Sequence, residues 1–535
     1  MQNSLSRYPY KGKRNVMTAK NGMVATSQPF AAEAGADILK QGGNAIDAAI
    51  ATAAALTVVE PTSNGIGGDA FAIISFEGNL HGLNGSGKSP KALSFETLEK
   101  QGHKTMPKFG VLPITTPGAV SAWVAMSEKF GALDFETVLT PAIRLARNGF
   151  PLSPTVAESW ANAMRGYQKV LKDDVYKPLF DTFTKDGHVP DAGGMFYLED
   201  HADTLESIAK TKGKSFYKGQ IAKKITDYIQ AHGGVLSMDD LANHEPLWVD
   251  PISVNYRGYD VHELPPNTQG LIALEGLEIL KRFSFSDYYE SLHLHRQIEA
   301  TKLAFTDGLS HIADPDHLRT RVDALLSESN IQKHYSSIDD KAHLPKPSDT
   351  NTSGTVYLAT GDKDGNMVSF IQSNYMGVGS GVVIPGTGIA MQNRGHNFSM
   401  DKDHPNCIGG AKRTYHTIIP GFLSKDGRPL GPFGVMGGFM QPQGHIQVVM
   451  SLIDDQLNPQ AALDRPRWQW MEGKRIKVEK EMPSHIIETL KRYGHIIEIE
   501  HNVGLFGRGQ IILRTDEGVY LGGTEKRCDG HIALY

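Results

Sequence analysis

Residues 341–354 read Lys-Ala-His-Leu-Pro-Lys-Pro-Ser-Asp-Thr-Asn-Thr-Ser-Gly, without hydrophobic periodicity, and stop at Thr355, where a β-run begins. No other stretch constrains the chain as much. Proline, serine, threonine and asparagine in this density mark a linker, and Val356-Tyr357-Leu358-Ala359 marks a strand. The run meets Gly361-Asp362-Lys363-Asp364-Gly365-Asn366 and returns as Met367 to Ser373, so the Asp-Gly step predicts a hairpin. With Asp364-Gly365 as a two-residue turn, Thr355 falls opposite Asn374 and one residue out of register with Ser373. A threonine then opens a strand with a serine hydroxyl from the paired strand close by. That placement suits a threonine whose α-amine, freed by cleavage of the preceding bond, acts as its own general base. A hairpin that happens to begin with threonine gives the same spacing, so the spacing alone leaves both readings standing.

The rest of the chain reads as helices early and in the middle, and strands late. After a short strand at Met23 to Thr26, a helix is expected from about Pro29 to Gln41, closed by Gly42-Gly43. Asn44 is placed to cap a second, alanine-rich helix, with Asp47 in its first turn complementing the dipole. Ala70 to Phe76 is a continuous apolar strand, as for a strand buried on both faces. Residues 120–340 read as mostly helical, with Trp160, Tyr167, Leu179 and Phe180 as anchors and helical spacing over Ser291 to Leu309. Beyond 355, strands and glycine turns are expected, Val382 to Ile384 and Ile446 to Val449 among them.

Composition excludes several classes. Net charge is −5 with no basic tract, which argues against nucleic acid and anionic membrane surfaces as partners. The longest apolar stretch, Ala48 to Val59, is too short to span a bilayer. No secretory signal is recognisable at the start, and two cysteines, Cys407 and Cys528, supply no disulfide framework, so a cytoplasmic location is expected.

Two motifs invite other chemistry. Gly82-Leu83-Asn84-Gly85-Ser86-Gly87-Lys88-Ser89 satisfies the P-loop pattern. Pro90 directly after it disfavours helical dihedrals at Ser89, where the phosphate-binding helix must begin, and Val448 to Asp454 is a poor Walker-B partner. His293, His295, Glu299, Asp307 and His311 suggest metal, but His-x-His on a helix turns the two rings about 200° apart. They read as helix-face residues, and neither a metal nor an organic cofactor is expected. Gly437-Gly438 follows the apolar run Gly434-Val435-Met436. Bare glycines there let backbone N–H groups approach a reacting oxygen, as in an oxyanion hole, or simply turn the end of a strand.

Three segments in this order carry a resemblance: Gly42-Gly43-Asn44-Ala45-Ile46-Asp47-Ala48-Ala49, Glu60-Pro61-Thr62-Ser63-Asn64-Gly65-Ile66-Gly67-Gly68-Asp69, and Met436-Gly437-Gly438. Over nearly its whole length the chain resembles the γ-glutamyltransferase (glutathione hydrolase) proenzyme family, and within it a signal-less, acylase-like bacterial branch. The resemblance implies an α+β fold, a four-layer αββα sandwich of the N-terminal-nucleophile (Ntn) hydrolase type. It implies one precursor cut between Gly354 and Thr355 into intertwined subunits, residues 1–354 and 355–535. By alignment on Asp362 to Asn366, Thr355 is the nucleophile and Ser373 its orienting partner, and Gly437 and Gly438 form the oxyanion hole. The implied substrate is a small amide, with water as the second reactant.

Departures from the family pattern concern glutamate recognition. Where the family's arginine holds the γ-glutamyl carboxylate, counting from Pro90 gives Phe95. The segment whose aspartate holds the ammonium reads Gln392-Asn393-Arg394-Gly395-His396-Asn397 here, with neutral Asn397 in the carboxylate's place and Arg394 in place of a glutamine. Tyr375 stands for an asparagine, and His416-Thr417 for a serine pair. Losing one partner of a desolvated charge pair costs roughly 2–5 kcal/mol, so the acyl group is expected to keep a carboxylate, facing Arg394, and to lack the glutamate ammonium. The short segment from Ser399 to Lys412, where transpeptidases carry a lid, implies an open site and water as acceptor. A genuine glutathione hydrolase or transpeptidase is the alternative, decided by glutathione turnover. An unprocessed, non-catalytic binding relative is another, decided by whether the chain stays whole.

Overall fold

The computed structural model describes residues 14–285, 291–345 and 354–535. Most of the expected linker, residues 346–353, therefore lies outside the described residues. Two seven-stranded sheets form the centre. One runs, edge to edge, Met17–Ala19, Tyr520–Thr524, Arg508–Arg514, Arg428–Met436, Gly421–Lys425, Tyr259–Glu263 and Ile252–Tyr256. The other runs His531–Leu534, Met23–Thr26, Val356–Gly361, Met367–Ser373, Asp69–Phe76, Asn79–Asn84 and Leu247–Val249.

Alternation along the strands sorts side chains into layers. Phe71, Ile73, Tyr357, Ala359 and Ile371 of the second sheet pack with Phe422, Met436, Ile512 and Tyr520 of the first, forming the inter-sheet core. Ala70, Ala72, Ile74, Leu358 and Phe370 point the other way, onto the early helices. Phe433, Val435, Ile511 and Leu513 face the helices Gly270–Leu280 and Met440–Ile453. The result is the expected αββα order, and Asp69–Phe76 is buried on both faces as its unbroken apolar run requires.

The early helices match the sequence reading closely. Pro29–Lys40 ends at Gly42, whose φ is +95°. Ala45–Val59 starts with a full capping box between Asn44 and Asp47, and each of its residues is buried. Two expectations fail. Ile446 to Val449 is not a strand: it lies within the helix Met440–Ile453, buried from Met440 to Leu452. A helix buried all round shows no amphipathic period, and a short β-branched run inside it imitates a strand. The mostly helical middle third also contributes strands to both sheets, at Leu247–Val249, Ile252–Tyr256 and Tyr259–Glu263.

The hairpin register is also shifted. Val356 pairs with Gln372 and Gly361 with Met367, which sets Thr355 opposite Ser373 rather than Asn374. Asp362 causes the shift. Its Oδ1 accepts the N–H groups of Asp364 and Asn366, its Oδ2 accepts Asn366 Nδ2, and its carbonyl accepts Gly365 N–H. These bonds close a three-residue loop, Lys363 to Gly365, with Gly365 at φ +88°.

Candidate active site

The hairpin delivers two hydroxyls to one point. Thr355 Oγ1 donates to the carbonyl oxygen of Gly354 at 2.6 Å and lies 3.2 Å from Ser373 Oγ. Ser373 Oγ donates to the same carbonyl at 2.8 Å and accepts the Tyr375 N–H at 2.8 Å. The Ser373 donor draws electron density from the carbonyl carbon and activates it toward attack by the Thr355 hydroxyl, which must turn from the oxygen to the carbon to react. Thr355 is 0% exposed in the continuous chain, so the expected open site is not present in this state. A Cβ on Gly354 would stand 3.0 Å from Thr62 O and 3.2 Å from Gly377 N, so the wall around this bond is tight.

From Tyr375 the contacts continue to a buried cation. The Tyr375 ring underlies the Arg394 guanidinium, 4.3 Å from ring centre to charge. Arg394 opens the short 3₁₀ turn Arg394–Asn397 and is 1% exposed. Its Nη1 donates to Thr417 Oγ1 at 2.8 Å, whereas Nε and Nη2 are buried with no hydrogen-bond partner among the described residues. Burial lowers its pKa to about 10, so it remains a cation at neutral pH. Burial likewise raises the Tyr375 phenol to about 12.

Gln269 bridges Thr417 to the glycine pair, its Nε2 donating to Thr417 O and, at 2.9 Å, to Gly438 O. Gly437 and Gly438 have φ of +136° and +62° and lie between the strand Arg428–Met436 and the helix Met440–Ile453. Their carbonyls accept Met440 and Gln441 N–H groups. The positive φ values turn the backbone sharply at a helix N-terminus, whose dipole favours negative charge. Thr355, Ser373, Tyr375, Arg394, Thr417 and Gly438 are thus joined in one run of contacts.

Other expected residues sit differently. Asn397 turns its Nδ2 to Tyr415 O at 3.1 Å and laces the 3₁₀ turn to the next segment rather than reaching Arg394. Phe95 begins the helix Phe95–Lys100 and packs with Leu93, Leu98, Met106, Phe398 and Ile408, with Lys402 over its ring at 4.3 Å. His416 is wholly buried, and its Nε2 lies 3.0 Å from Asp69 Oδ2. The distance is that of an ion pair. However, burial and then the Arg394 charge hold the imidazole well below its usual pKa, so it is a neutral ring donating its Nε2 hydrogen. Ile418 N–H faces the other ring nitrogen at 3.5 Å, consistent with that tautomer.

Asp69 is the residue that sequence reasoning passed over. It is 0% exposed and pairs in register with Ser373. Burial pushes its carboxyl up to about 7, against the Arg394 charge and donors from Gln392, Gly87 and Gly118. Its signal in the sequence was a carboxylate directly ahead of a wholly apolar strand, where a charge needs a reason.

The P-loop match is not a phosphate site. Residues after Asn84 run extended beside neighbouring segments, with Ser89 N–H on Lys412 O and Thr116 N–H on Lys88 O, and no helix begins until Phe95. The histidines of Ser291–His311 find protein partners. His295 bonds His495 and Asp339 O, Glu299 pairs with Lys302, Asp307 with His334, and His311 with Thr320. His295–Glu299–His495 and Glu275–Asp307–His334 bring ligand-type atoms within 4.8 Å of one another. His293 belongs to neither group, in keeping with the opposite facing of His-x-His. Among the described residues no helix is long and apolar enough to cross a membrane.

Two sheets stacked between helices, with a hydroxyl-bearing residue heading an inner strand, define an Ntn hydrolase. The chain belongs to the Gamma-glutamyltranspeptidase family, which it matches over residues 31–535. A glutathione hydrolase-like proenzyme of Bacillus subtilis (strain 168) is 35% identical over 520 residues, 95% of this chain and 97% of the relative. An oxamate amidohydrolase proenzyme of Klebsiella pneumoniae is 33% identical over 536 residues, 97% of this chain and 99% of the relative. The crystal structure of cephalosporin acylase from Bacillus halodurans superposes with a TM-score of 0.96 at 55% identity, covering 100% and 99% of the two chains. The protein is a hydrolase or acyltransferase of the Ntn class, akin to the family's acylases.

Proposed function

We propose that the chain cleaves itself between Gly354 and Thr355 and then hydrolyses a small amide whose acyl group carries a carboxylate. The observation that carries the first half is the convergence of the Thr355 and Ser373 hydroxyls on the Gly354 carbonyl. Thr355 Oγ adds to that carbonyl carbon and gives up its proton, the C–N bond breaks as the Thr355 nitrogen takes that proton, and water hydrolyses the resulting Gly354 ester to a carboxylate and the free Thr355 hydroxyl. Residues 1–354 and 355–535 become two subunits, and Thr355 gains a free α-amine. In turnover that amine accepts the Oγ proton as Oγ attacks the substrate amide. Gly437 and Gly438 N–H groups hold the oxyanion, the amine leaves protonated, and water releases the acyl group as an acid. Ser373 keeps Thr355 oriented.

Arg394 carries the second half: a buried cation with two unpartnered donors fits a carboxylate. Tyr375, Thr417, His416 and Asn397 line or brace that pocket. A γ-glutamyl group would need a carboxylate free to take its ammonium. Asp69 stands nearest to that task, but both its oxygens are occupied. The unpaired Cys407 and Cys528 fit a reducing, cytoplasmic setting.

Intact mass of the purified protein beside Thr355→Ala tests the first half: two fragments meeting at Gly354/Thr355 in the wild type, one chain in the variant. A single chain in both would overturn it. Three matched p-nitroanilides test the second: glutaryl, pentanoyl (no carboxylate) and γ-glutamyl (carboxylate and ammonium). Glutaryl should be turned over best, and preference for γ-glutamyl would favour a glutathione hydrolase instead.

A further inference from the structure

A guanidinium as buried as that of Arg394 is costly without a counter-charge. The usual partner, a carboxylate set squarely on the N–H fork, would also shut a substrate out. Asp69 does neither. Its Oδ1 accepts Gly87 N–H at 3.2 Å, Gly118 N–H at 3.1 Å and Gln392 Nε2 at 3.0 Å, and its Oδ2 accepts His416 Nε2 at 3.0 Å. Among the described residues Arg394 makes one side-chain hydrogen bond, to Thr417, and no bond joins it to Asp69 although each charge lies in the other's field.

We propose that Asp69 is the fixed counter-charge of the acyl pocket, balancing Arg394 without occupying its donors, and that it takes up a proton when a carboxylate docks on the guanidinium. This rests on the reading that Arg394 receives the acyl carboxylate. Before docking, one anion and one cation share a site closed to water. After docking, two anions share the same cation, and like charges in a buried site cannot both stay ionised cheaply. The proton comes from solvent and goes to the Asp69 carboxyl, which already sits near neutrality before the second anion arrives.

The groups facing Asp69 do not remove this pressure. His416 is neutral and already donates to it. Arg413 is the second cation within its field, but its guanidinium is spent on Ser86 O and Glu245 O. Tyr217 is a neutral phenol bonded to Pro117 O. Affinity for a carboxylate therefore falls as pH rises and Asp69 ionises. Asp69 is a positioning residue, setting which charge the pocket accepts.

The test uses the processed enzyme and glutarate as the probe, read as competitive inhibition of glutaryl-p-nitroanilide hydrolysis. Glutarate stays fully ionised from pH 6.5 to 8.5, so its own titration adds nothing. Its inhibition constant should rise roughly tenfold across that range in wild type and stay flat in Asp69→Asn, or in Asp69→Ser if the asparagine variant does not fold. Calorimetry in two buffers of different ionisation enthalpy should show proton uptake approaching about one per site at pH 8. The Thr355 α-amine titrates in the same window, so a pH dependence that survives in the Asp69 variants belongs to the amine and overturns the proposal. So does wild-type binding that is independent of pH and buffer. No glutarate binding at any pH overturns the carboxylate reading itself, and this inference with it.

Discussion

Thr355 and Ser373 face each other across one register pair of the hairpin, and both hydroxyls are turned onto the carbonyl of Gly354. In the mechanism we propose, Ser373 acts twice, polarising the Gly354 carbonyl before the cut and then holding the freed threonine. Ser373→Ala removes one of two donors on that carbonyl and leaves the Tyr375 N–H without its acceptor. A hydrogen bond lost in a buried site costs roughly 1–3 kcal/mol. Self-cleavage should slow about tenfold to a hundredfold, followed by gel or mass over hours, whereas Thr355→Ser, which keeps a hydroxyl, should still cleave. Cleavage of Ser373→Ala at the wild-type rate would remove Ser373 from the machinery.

Arg394→Met keeps the stacking bulk over Tyr375 and deletes the charge. If the guanidinium takes the acyl carboxylate, kcat/KM for the glutaryl anilide should fall by roughly 30- to 5000-fold, the range set by the roughly 2–5 kcal/mol of removing one member of a desolvated pair. Turnover of the pentanoyl anilide should hold or rise, because that acyl group has no carboxylate to lose. Equal losses on both substrates would mean Arg394 is a brace.

Gly437 at φ +136° occupies backbone space that an alanine rarely enters, and an added Cβ would stand 3.2 Å from Gly507 Cα. Gly437→Ala should swing its N–H off line and cost on the order of 10²–10³ in kcat. Gly438, at φ +62°, lies in the left-handed region, where an alanine is strained by about 1–2 kcal/mol. Gly438→Ala should lose less. Activity of Gly437→Ala within a few-fold of wild type would exclude its N–H as an oxyanion donor.

Legibility in the sequence followed how local the cause was. Asn44 with Asp47, the exit at Gly42 and the strand from Met23 to Thr26 were all readable, because caps, turns and short apolar runs act within a few residues. Thr355 and Ser373 were found together, although their register was off by one. The turn type was decided by Asp362 side-chain bonds that a dipeptide signal does not contain. Ile446 to Val449 misled because burial on every side erases periodicity. Gln269 left no signal as a site residue and Asp69 only that of a charge ahead of an apolar strand, because their partners are tertiary: each contacts segments more than a hundred residues away.

Acid should unlock the chain's last segment before the rest. Arg527 pairs with Glu479 Oε2 at 2.5 Å and Glu525 Oε1 at 2.6 Å, and Arg467 reaches Glu525 Oε2 at 2.9 Å, all within side chains at most 2% exposed. Burial pushes the Glu525 carboxyl up, but the charges of Arg467 and Arg527 and the Gly509 N–H outweigh it and bring the pKa down to about 2. The two arginines shift in opposite directions, Arg467 down through burial and the like charge of Arg527, yet both stay cationic at any working pH. Because the folded pKa of Glu525 lies below the unfolded value, its contribution is complete above about pH 4.5 and is lost as pH falls toward 2, amounting to roughly 3 kcal/mol. Glu525→Gln should lower Tm at pH 7, since breaking a buried pair costs about 3–5 kcal/mol, and should narrow the Tm gap between pH 7 and about pH 2.5, where the wild-type contribution is mostly gone. A variant whose Tm falls equally at both pH values would place the acid sensitivity elsewhere, with Glu479 the next group to change.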